Sequence, residues 1–210
     1  MKPIILGTVA GAKLNLNGDQ GNLLALKRFL EAAGLSVEVR PVTNTADATA
    51  CHFVLLGHGS MAAMESLNGQ LKSFDWPAVT AATPGLAIGS GFEWLAANVL
   101  GVAAGSVSER ISEFQFGSLG ALNVLGYRNA QTELPNIRVE GQLICSMLHG
   151  PILAKNPQLL HRAALAACTK AGISLPQTAE LKAWVEHLNR ICAQIWALEA
   201  PDSKFEPLAI

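Results

Sequence analysis

The side chains best suited to chemistry lie in three short, glycine-rich stretches of the chain. His58 stands between two glycines, Ser90 stands between two others, and His149 is followed by a Gly-Pro pair. A histidine can serve as a general base, and the amides of a tight turn at a helix start can stabilise an oxyanion. These residue types indicate acyl-transfer chemistry, although glycine-rich turns also occur purely for close packing.

The elements around these stretches explain how they would come together. Each stretch follows a short apolar run typical of a strand, and helical patterns lie between the earlier runs. This alternation is typical of a parallel sheet covered by helices on both faces. Because open α/β sheets bind ligands at the carboxyl ends of their strands, the sequence predicts an α/β fold in which the three loops meet at that edge.

The remaining patterns extend this prediction to the rest of the chain. Residues 3–9 and 36–42 predict further strands, and residues 23–34 a helix that ends at a glycine. Residues 101–143 predict antiparallel or mixed strands, and a strand follows that ends near His149. Two helices follow residue 156, the second capped by Thr178. We expect one domain over residues 1–210, with the last ten residues as a loose tail.

Composition excludes several classes of partner. The chain has 210 residues and a formal net charge of −1, which argues against a broad surface for nucleic acid or anionic membrane. Its apolar runs are shorter than the roughly 20 residues of a spanning helix, and its first residues do not resemble a secretory signal. The 4 cysteines form no CxxC pair, which favours reduced, buried thiols over a metal site. We expect a cytoplasmic protein without metal or cofactor.

Several segments also carry a family resemblance. Residues 15–26 read NLNGDQGNLLAL, residues 86–96 read LAIGSGFEWLA and residues 147–157 read MLHGPILAKNP. They resemble, in order, the NLYGDRGNxxAL, LAICGGYQLLG and YLHGPLLPKNP segments of class I glutamine amidotransferases of the CobB/CobQ and GatD type. Residues 126–130 resemble a GFENH-like segment of the same family. The resemblance runs from about residue 14 to residue 165, and its ends are more specific than its middle.

The resemblance implies a flavodoxin-like three-layer sandwich and a role for each matching position. His149 falls on the family's catalytic histidine, and Gly59 and the Ser90 amide fall on its oxyanion donors. Gly89 falls on the nucleophilic cysteine. Because glycine has no side chain, the thioester that the family forms with glutamine cannot form at this position.

Other positions of the implied pocket differ as well. The family's substrate-side Tyr-Gln pair is Phe92-Glu93 here, and its loop Gln-Asp pair is Ser60-Met61. Pro151 stands where many class I enzymes have a glutamate, so no third member of a triad is evident. Several changes within one pocket indicate long divergence.

Three functions follow from these observations. The first is an altered or inactive homologue that has a binding or regulatory role beside a ligase-like or synthetase-like partner, with glutamine or a related amide as ligand. The second is a working hydrolase or amidotransferase that uses Ser90 or a displaced cysteine with His149. The third is small-molecule sensing, with His58, Glu93 and His149 as polar contacts.

Structural interpretations stand beside each catalytic one. Ser90 at a helix start is typical of an N-cap, and His58 in a glycine-rich turn is typical of an exposed loop residue. Glu93 lies in a first helical turn, where the helix dipole favours a carboxylate. Cys51 and Cys145 flank predicted strands, as buried and unreactive thiols do.

Overall fold

A computed structural model describes residues 2–103 and 105–210 of the chain. Its strands are β1 (Ile4–Val9), β2 (Val37–Val42), β3 (Phe53–Leu56), β4 (Gly85–Ile88), β5 (Ser106–Leu119), β6 (Leu122–Thr132), β7 (Ile137–Glu140), β8 (Leu143–Ser146) and β9 (Leu148–His149). Its helices are α1 (Gly21–Ala32), α2 (Thr45–Ala50), α3 (Met61–Lys72), α4 (Trp76–Ala82), α5 (Ser90–Asn98), α6 (Ile152–Lys155), α7 (Pro157–Lys170) and α8 (Ala179–Glu199).

The main sheet has six strands in the order β2-β1-β3-β4-β8-β7. All neighbours pair in parallel except β7, which pairs antiparallel with β8. The five parallel strands follow the flavodoxin-like order, in which the chain reverses direction across the sheet between β1 and β3. The predicted α/β class and flavodoxin-like sandwich are confirmed.

Burial explains why the central strands read as continuous apolar runs. Every residue of β3 and β4 is buried, as expected for strands that helices cover on both faces. One core cluster lies on the side of α1, α7 and α8, and a second lies on the side of α3, α4 and α5. These two layers hold the carboxyl ends of β3 and β4 in fixed positions.

A second, smaller sheet arises from the middle of the chain. Strands β5 and β6 form a long antiparallel hairpin, and β9 adds to the free side of β6. The antiparallel or mixed strands expected over residues 101–143 are therefore present as this hairpin and the β7–β8 pair.

The single strand expected to end near His149 is divided between the two sheets. The Ser146 hydroxyl accepts a hydrogen bond from the Leu148 amide at 3.0 Å and donates to the Asn136 carbonyl at 3.1 Å. These local bonds compete with a continuous ladder, so β8 stays in the main sheet while β9 pairs with β6. His149 therefore enters the site from the smaller sheet.

Two of the last ten residues, which were expected to form a loose tail, contact α8, while most of their neighbours are exposed. The Asn189 side chain accepts from the Leu208 amide at 3.0 Å and donates to the Leu208 carbonyl at 2.9 Å. The Phe205 ring lies 5.7 Å from the Trp196 ring between centroids. The apolar side chains of this segment make these contacts. In the sequence, its two prolines had suggested a segment without them.

Two further features concern the helices. Thr178 caps α8 as predicted, because its hydroxyl accepts from the Leu181 amide at 3.0 Å. Among helices in the described part of the chain, none combines the length and the hydropathy that a membrane span requires.

Asn156 joins the smaller sheet to α6, and its removal tests this connection. Its buried side chain exchanges two hydrogen bonds of 2.8 Å with the Leu125 backbone and donates a third to the Ile152 carbonyl. We expect Asn156→Ala to lower the free energy of unfolding by about 2–4 kcal/mol in urea denaturation, because buried backbone groups lose their partners. The exposed Asn123 on β6 provides the control Asn123→Ala, and equal losses in both variants would contradict this role.

Candidate functional site

The three predicted loops meet at the carboxyl ends of β3, β4 and β8. The His58 and His149 rings face each other edge to face, with centroids 4.5 Å apart and planes at 78°. The turn after β4 passes beside both rings, and the Gly89 amide donates to the Ser146 carbonyl at 2.8 Å. The structure therefore brings together both candidate histidines and the position where the nucleophile was expected.

Gly89 has no room for a side chain. Its φ of 52° and ψ of −121° lie in a region that residues other than glycine rarely adopt. A Cβ at this position would lie 2.5 Å from His149 Cε1 and 2.5 Å from His58 Nδ1. The space that a cysteine would occupy is thus filled by two imidazole rings.

Ser90 is the first residue of α5, and its hydroxyl bonds to the β3 loop. The residue at the N-cap position is Gly89, so the N-cap interpretation of Ser90 is wrong. The Ser90 hydroxyl accepts from the Gly59 amide at 2.9 Å and donates to the Gly59 carbonyl at 3.1 Å. Because both bonds go to Gly59, the hydroxyl is not hydrogen-bonded to His149 as a nucleophile with that base would be.

The two expected oxyanion donors already have partners inside the protein. The Gly59 amide donates to the Ser90 hydroxyl, and the Ser90 amide donates to His58 Nδ1 at 3.0 Å. His58 is therefore half-buried and hydrogen-bonded, and its interpretation as an exposed loop residue is wrong. Burial, with a smaller effect of Arg110, lowers the pKa of His58. Neutral His58 can accept at Nδ1, which assigns its proton to Nε2.

His149 is a neutral, buried histidine. Only 3% of its surface is exposed, and its Nδ1 lies 3.0 Å from the Asn17 amide nitrogen. An amide nitrogen only donates, so Nδ1 accepts and the proton lies on Nε2. Nε2 makes no hydrogen bond to any described residue. Burial first, and the neighbouring His58 second, lower the pKa of His149 to about 4.

The first loop, which belongs to the family-like segment over residues 15–26, positions the other two through Asp19 and Asn22. The Asp19 carboxylate, fully buried, accepts from the His58 amide at 3.3 Å and from the Gly150 amide at 3.2 Å. Burial raises the pKa of Asp19, and these backbone bonds oppose that rise. Asn22 donates to the Gly150 carbonyl at 3.0 Å. Asn17, which contacts His149, was not predicted, although it lies within the family-like segment.

A cleft of about 450 Å³ opens beside the histidine pair. Glu93 lines it as predicted for a pocket residue, and its carboxylate accepts from the Thr132 hydroxyl at 3.0 Å. Phe92 does not line it, because α5 turns that side chain into the core, where it is fully buried. Met61 lines the cleft too, beside Ser60 in the loop pair that the resemblance assigned to the pocket, whereas sequence reasoning missed four residues of the cleft wall: Leu16, Met64, Trp94 and Arg110.

The displaced-cysteine alternative lacks a reactive thiol. Cys145 lies within β8, and burial raises its pKa to about 12. Burial also raises the pKa of Cys51, whose thiol donates to the Asp47 carbonyl at 3.2 Å. A nucleophilic cysteine needs a thiolate that its surroundings stabilise, and both environments favour the protonated form.

A metal has no suitable set of ligands near the histidine pair. Within residues 2–103 and 105–210, no three His, Cys, Asp or Glu side chains cluster as metal ligands would. Each histidine Nδ1 is also engaged, one with a backbone amide and one with an asparagine. The site is therefore organised around hydrogen bonds between its own loops.

Comparison with known proteins places the fold. No protein-family model matches the chain, and no curated protein matches it either. One similar solved structure is that of a Thermoplasma acidophilum protein provisionally assigned to GMP synthase as one of its subunits. It is 12% identical, covers 82% of this chain and 97% of its own, and has a TM-score of 0.50. Its likeness shows a shared α/β fold of the class I glutamine amidotransferase-like type.

A second solved structure is that of Drosophila melanogaster DJ-1β. It is 15% identical to this chain, covers 89% of it and 98% of its own length, and has a TM-score of 0.35. That score is too low to support an argument about the site.

The filled position at Gly89 predicts a large cost for even one added carbon. We expect Gly89→Ala to destabilise the fold by about 2–4 kcal/mol, because the methyl group combines backbone strain with overpacking against both rings. Gly120 has a φ of 64° and open space where a Cβ would lie. Gly120→Ala therefore measures the cost of backbone strain without overpacking. Urea denaturation of both variants measures the difference, and equal stabilities would show that the rings yield freely.

The low pKa of His149 predicts a loss of stability in mild acid. The unfolded chain protonates this ring near its ordinary pKa of 6.5, whereas the folded chain does so at about 4. Between these values the unfolded state binds more protons, so stability falls as the pH falls. We expect His149→Gln to remove about 2 kcal/mol of the change in unfolding free energy between pH 7 and pH 5. His187→Gln, at an exposed position, is the control, and an unchanged slope in His149→Gln would refute the assignment.

Proposed function

We propose that this protein is an inactive glutamine amidotransferase-like protein of the CobB/CobQ and GatD type, which serves as a binding or regulatory subunit. The observation that carries the proposal is the filled position at Gly89, where His58 and His149 occupy the space of a nucleophilic side chain. In this proposal the chain forms one domain over residues 1–210 and acts in the cytoplasm.

The chemistry of glutamine hydrolysis explains why this filled position matters. The reaction requires a nucleophile for the amide carbon, a base for its proton and donors for the oxyanion. Gly89 offers no nucleophilic atom, and His149 Nδ1 is engaged with Asn17. Gly59 and Ser90 have their amides bound internally. Every group that catalysis would use is therefore missing or occupied.

A ligand-binding role is compatible with what remains. The cleft beside His58 is of the size that small-molecule sites have. Small-molecule sensing is accordingly the second candidate. In that case ligand binding in the cleft is itself the function, and no partner enzyme is required. The partner in the first candidate is a ligase-like or synthetase-like protein. The name of the Thermoplasma neighbour, which assigns it to a synthase, is in keeping with such a partner.

An assay of glutamate release from glutamine tests the inactive assignment. We expect background rates for the wild type, Ser90→Ala and His149→Ala, because the wild type has no attacking group to lose. Wild-type turnover that Ser90→Ala abolishes would overturn the proposal in favour of a serine nucleophile. Gly89→Cys is also expected to remain at background, since its Cβ collides with both rings. Turnover by that variant would show that the oxyanion amides are still available.

A further inference from the structure

We propose that the cleft beside His58 binds a zwitterionic α-amino acid that carries an apolar side chain. This inference deepens the binding role proposed above and rests on it, since a cleft that retained catalysis would select its ligand by the amide to be cleaved. The proposed ligand differs from glutamine in its side chain, which is apolar and carries no amide.

Two opposite charges line the cleft without neutralising each other. Arg110 on β5 donates through Nε to the Asn129 side chain, and its other guanidinium N–H groups remain as donors. Glu93 on α5 uses one carboxylate oxygen for the Thr132 hydroxyl. Across the described residues, neither Arg110 nor Glu93 takes part in an ion pair within 4.0 Å. An arginine and a carboxylate in one cleft complement the carboxylate and the ammonium of an amino acid.

The other nearby arginine is already committed to the fold. Arg128 is buried and donates to the Asn136 side chain and the Thr132 carbonyl. It therefore stabilises the smaller sheet and does not line the cleft, although burial lowers its pKa and the nearby Glu93 charge opposes that change. The charge pattern available to a ligand is thus one donor group and one acceptor group.

Four further residues of the wall are apolar, and two of them are largely exposed. Leu16 and Met61 are 62% and 90% exposed at the cleft, and Met64 and Trp94 continue the same wall. Burying such surface against an apolar ligand is favourable, and methionine adapts its shape to the group it contacts. These side chains would cover the apolar part of a bound amino acid.

The two oxyanion-donor amides of the wall already have partners, and the His58 Nε2–H and the Ser60 O–H remain as donors for a side-chain amide. The Ser60 hydroxyl is engaged with the Ala63 amide at 3.2 Å as the cap of α3. The Gly59 and Ser90 amides are engaged as described above. Leucine, methionine or phenylalanine would bury more of the exposed apolar wall than glutamine does, so we expect the cleft to favour them.

Isothermal titration calorimetry of the whole protein tests the ligand class directly. We expect L-phenylalanine and L-leucine to bind at least about tenfold more tightly than L-glutamine. We also expect about tenfold weaker binding of phenethylamine and of 3-phenylpropanoate, which each lack one of the two charges. Binding of 3-phenylpropanoate as tight as that of phenylalanine would overturn the zwitterion, and no binding of any amino acid would overturn the proposal.

Matched variants locate the site. We expect Arg110→Met and Glu93→Gln to weaken phenylalanine binding about tenfold, and Met61→Ser to weaken it about threefold. Arg162→Met and Leu198→Ser, on the exposed surfaces of α7 and α8, are the controls and should bind as the wild type does. Full affinity in Arg110→Met and Glu93→Gln would place the ligand elsewhere and overturn the proposal.

The inactive assignment and the ligand class can be refuted independently of each other. Glutamine turnover by the wild type would refute the inactive assignment, whereas the amino-acid comparison is read from heat of binding alone. Absence of amino-acid binding, together with background turnover, would refute only the ligand class.

Discussion

The buried carboxylate of Asp19 fixes the arrangement on which the rest of the site depends. It accepts the amides of His58 and Gly150, which belong to loops from the two different sheets. Desolvating a carboxylate is costly unless hydrogen bonds compensate, and these backbone amides offset part of that cost, since burial still raises the pKa of Asp19. Asn22 extends the same connection by accepting from the Leu153 amide at 2.9 Å. Asp19 and Asn22 therefore fix the positions of these loops relative to one another.

With the loops fixed, the groups around Ser90 satisfy one another, although His149 Nε2 has no partner among the described residues. His58 accepts from the Ser90 amide, and the Ser90 hydroxyl exchanges hydrogen bonds with Gly59. A network of this kind is strongest when each member has its partner. An entering carbonyl oxygen would have to displace one of these bonds before it gained any stabilisation. The geometry thus opposes oxyanion binding for the same reason that it holds the loops together.

The sequence predicted those parts of the structure that depend on local pattern. Alternating apolar runs and helices predicted the parallel sheet, and the carboxyl-edge rule predicted that the loops around His58, Gly89 and His149 would meet. The resemblance assigned Gly89 to the family's nucleophile position, and that assignment stays a prediction. These predictions concern where the backbone goes, which periodicity and turn residues largely determine.

The parts that were missed depend on side-chain direction and long-range pairing. The resemblance placed both Phe92 and Glu93 in the pocket, although successive helical residues point about 100° apart and only Glu93 lines the cleft. Arg110 reaches the cleft because β5 pairs with β6 over a long hairpin, and such register is not visible in one sequence. The division of the strand at Ser146 similarly depends on Asn136, which lies on another segment.

The turn at Gly89 and the cleft depend on different residues. Loss of a cysteine alone would leave a cavity, and cavities in packed regions destabilise a protein. Here His58 and His149 fill that space, so a returning side chain would meet both rings and unfavourable backbone angles. Arg110 and Glu93, by contrast, lie on the hairpin and on α5, outside the filled turn. Ligand binding in the cleft can therefore be maintained by interactions that do not involve the nucleophile position.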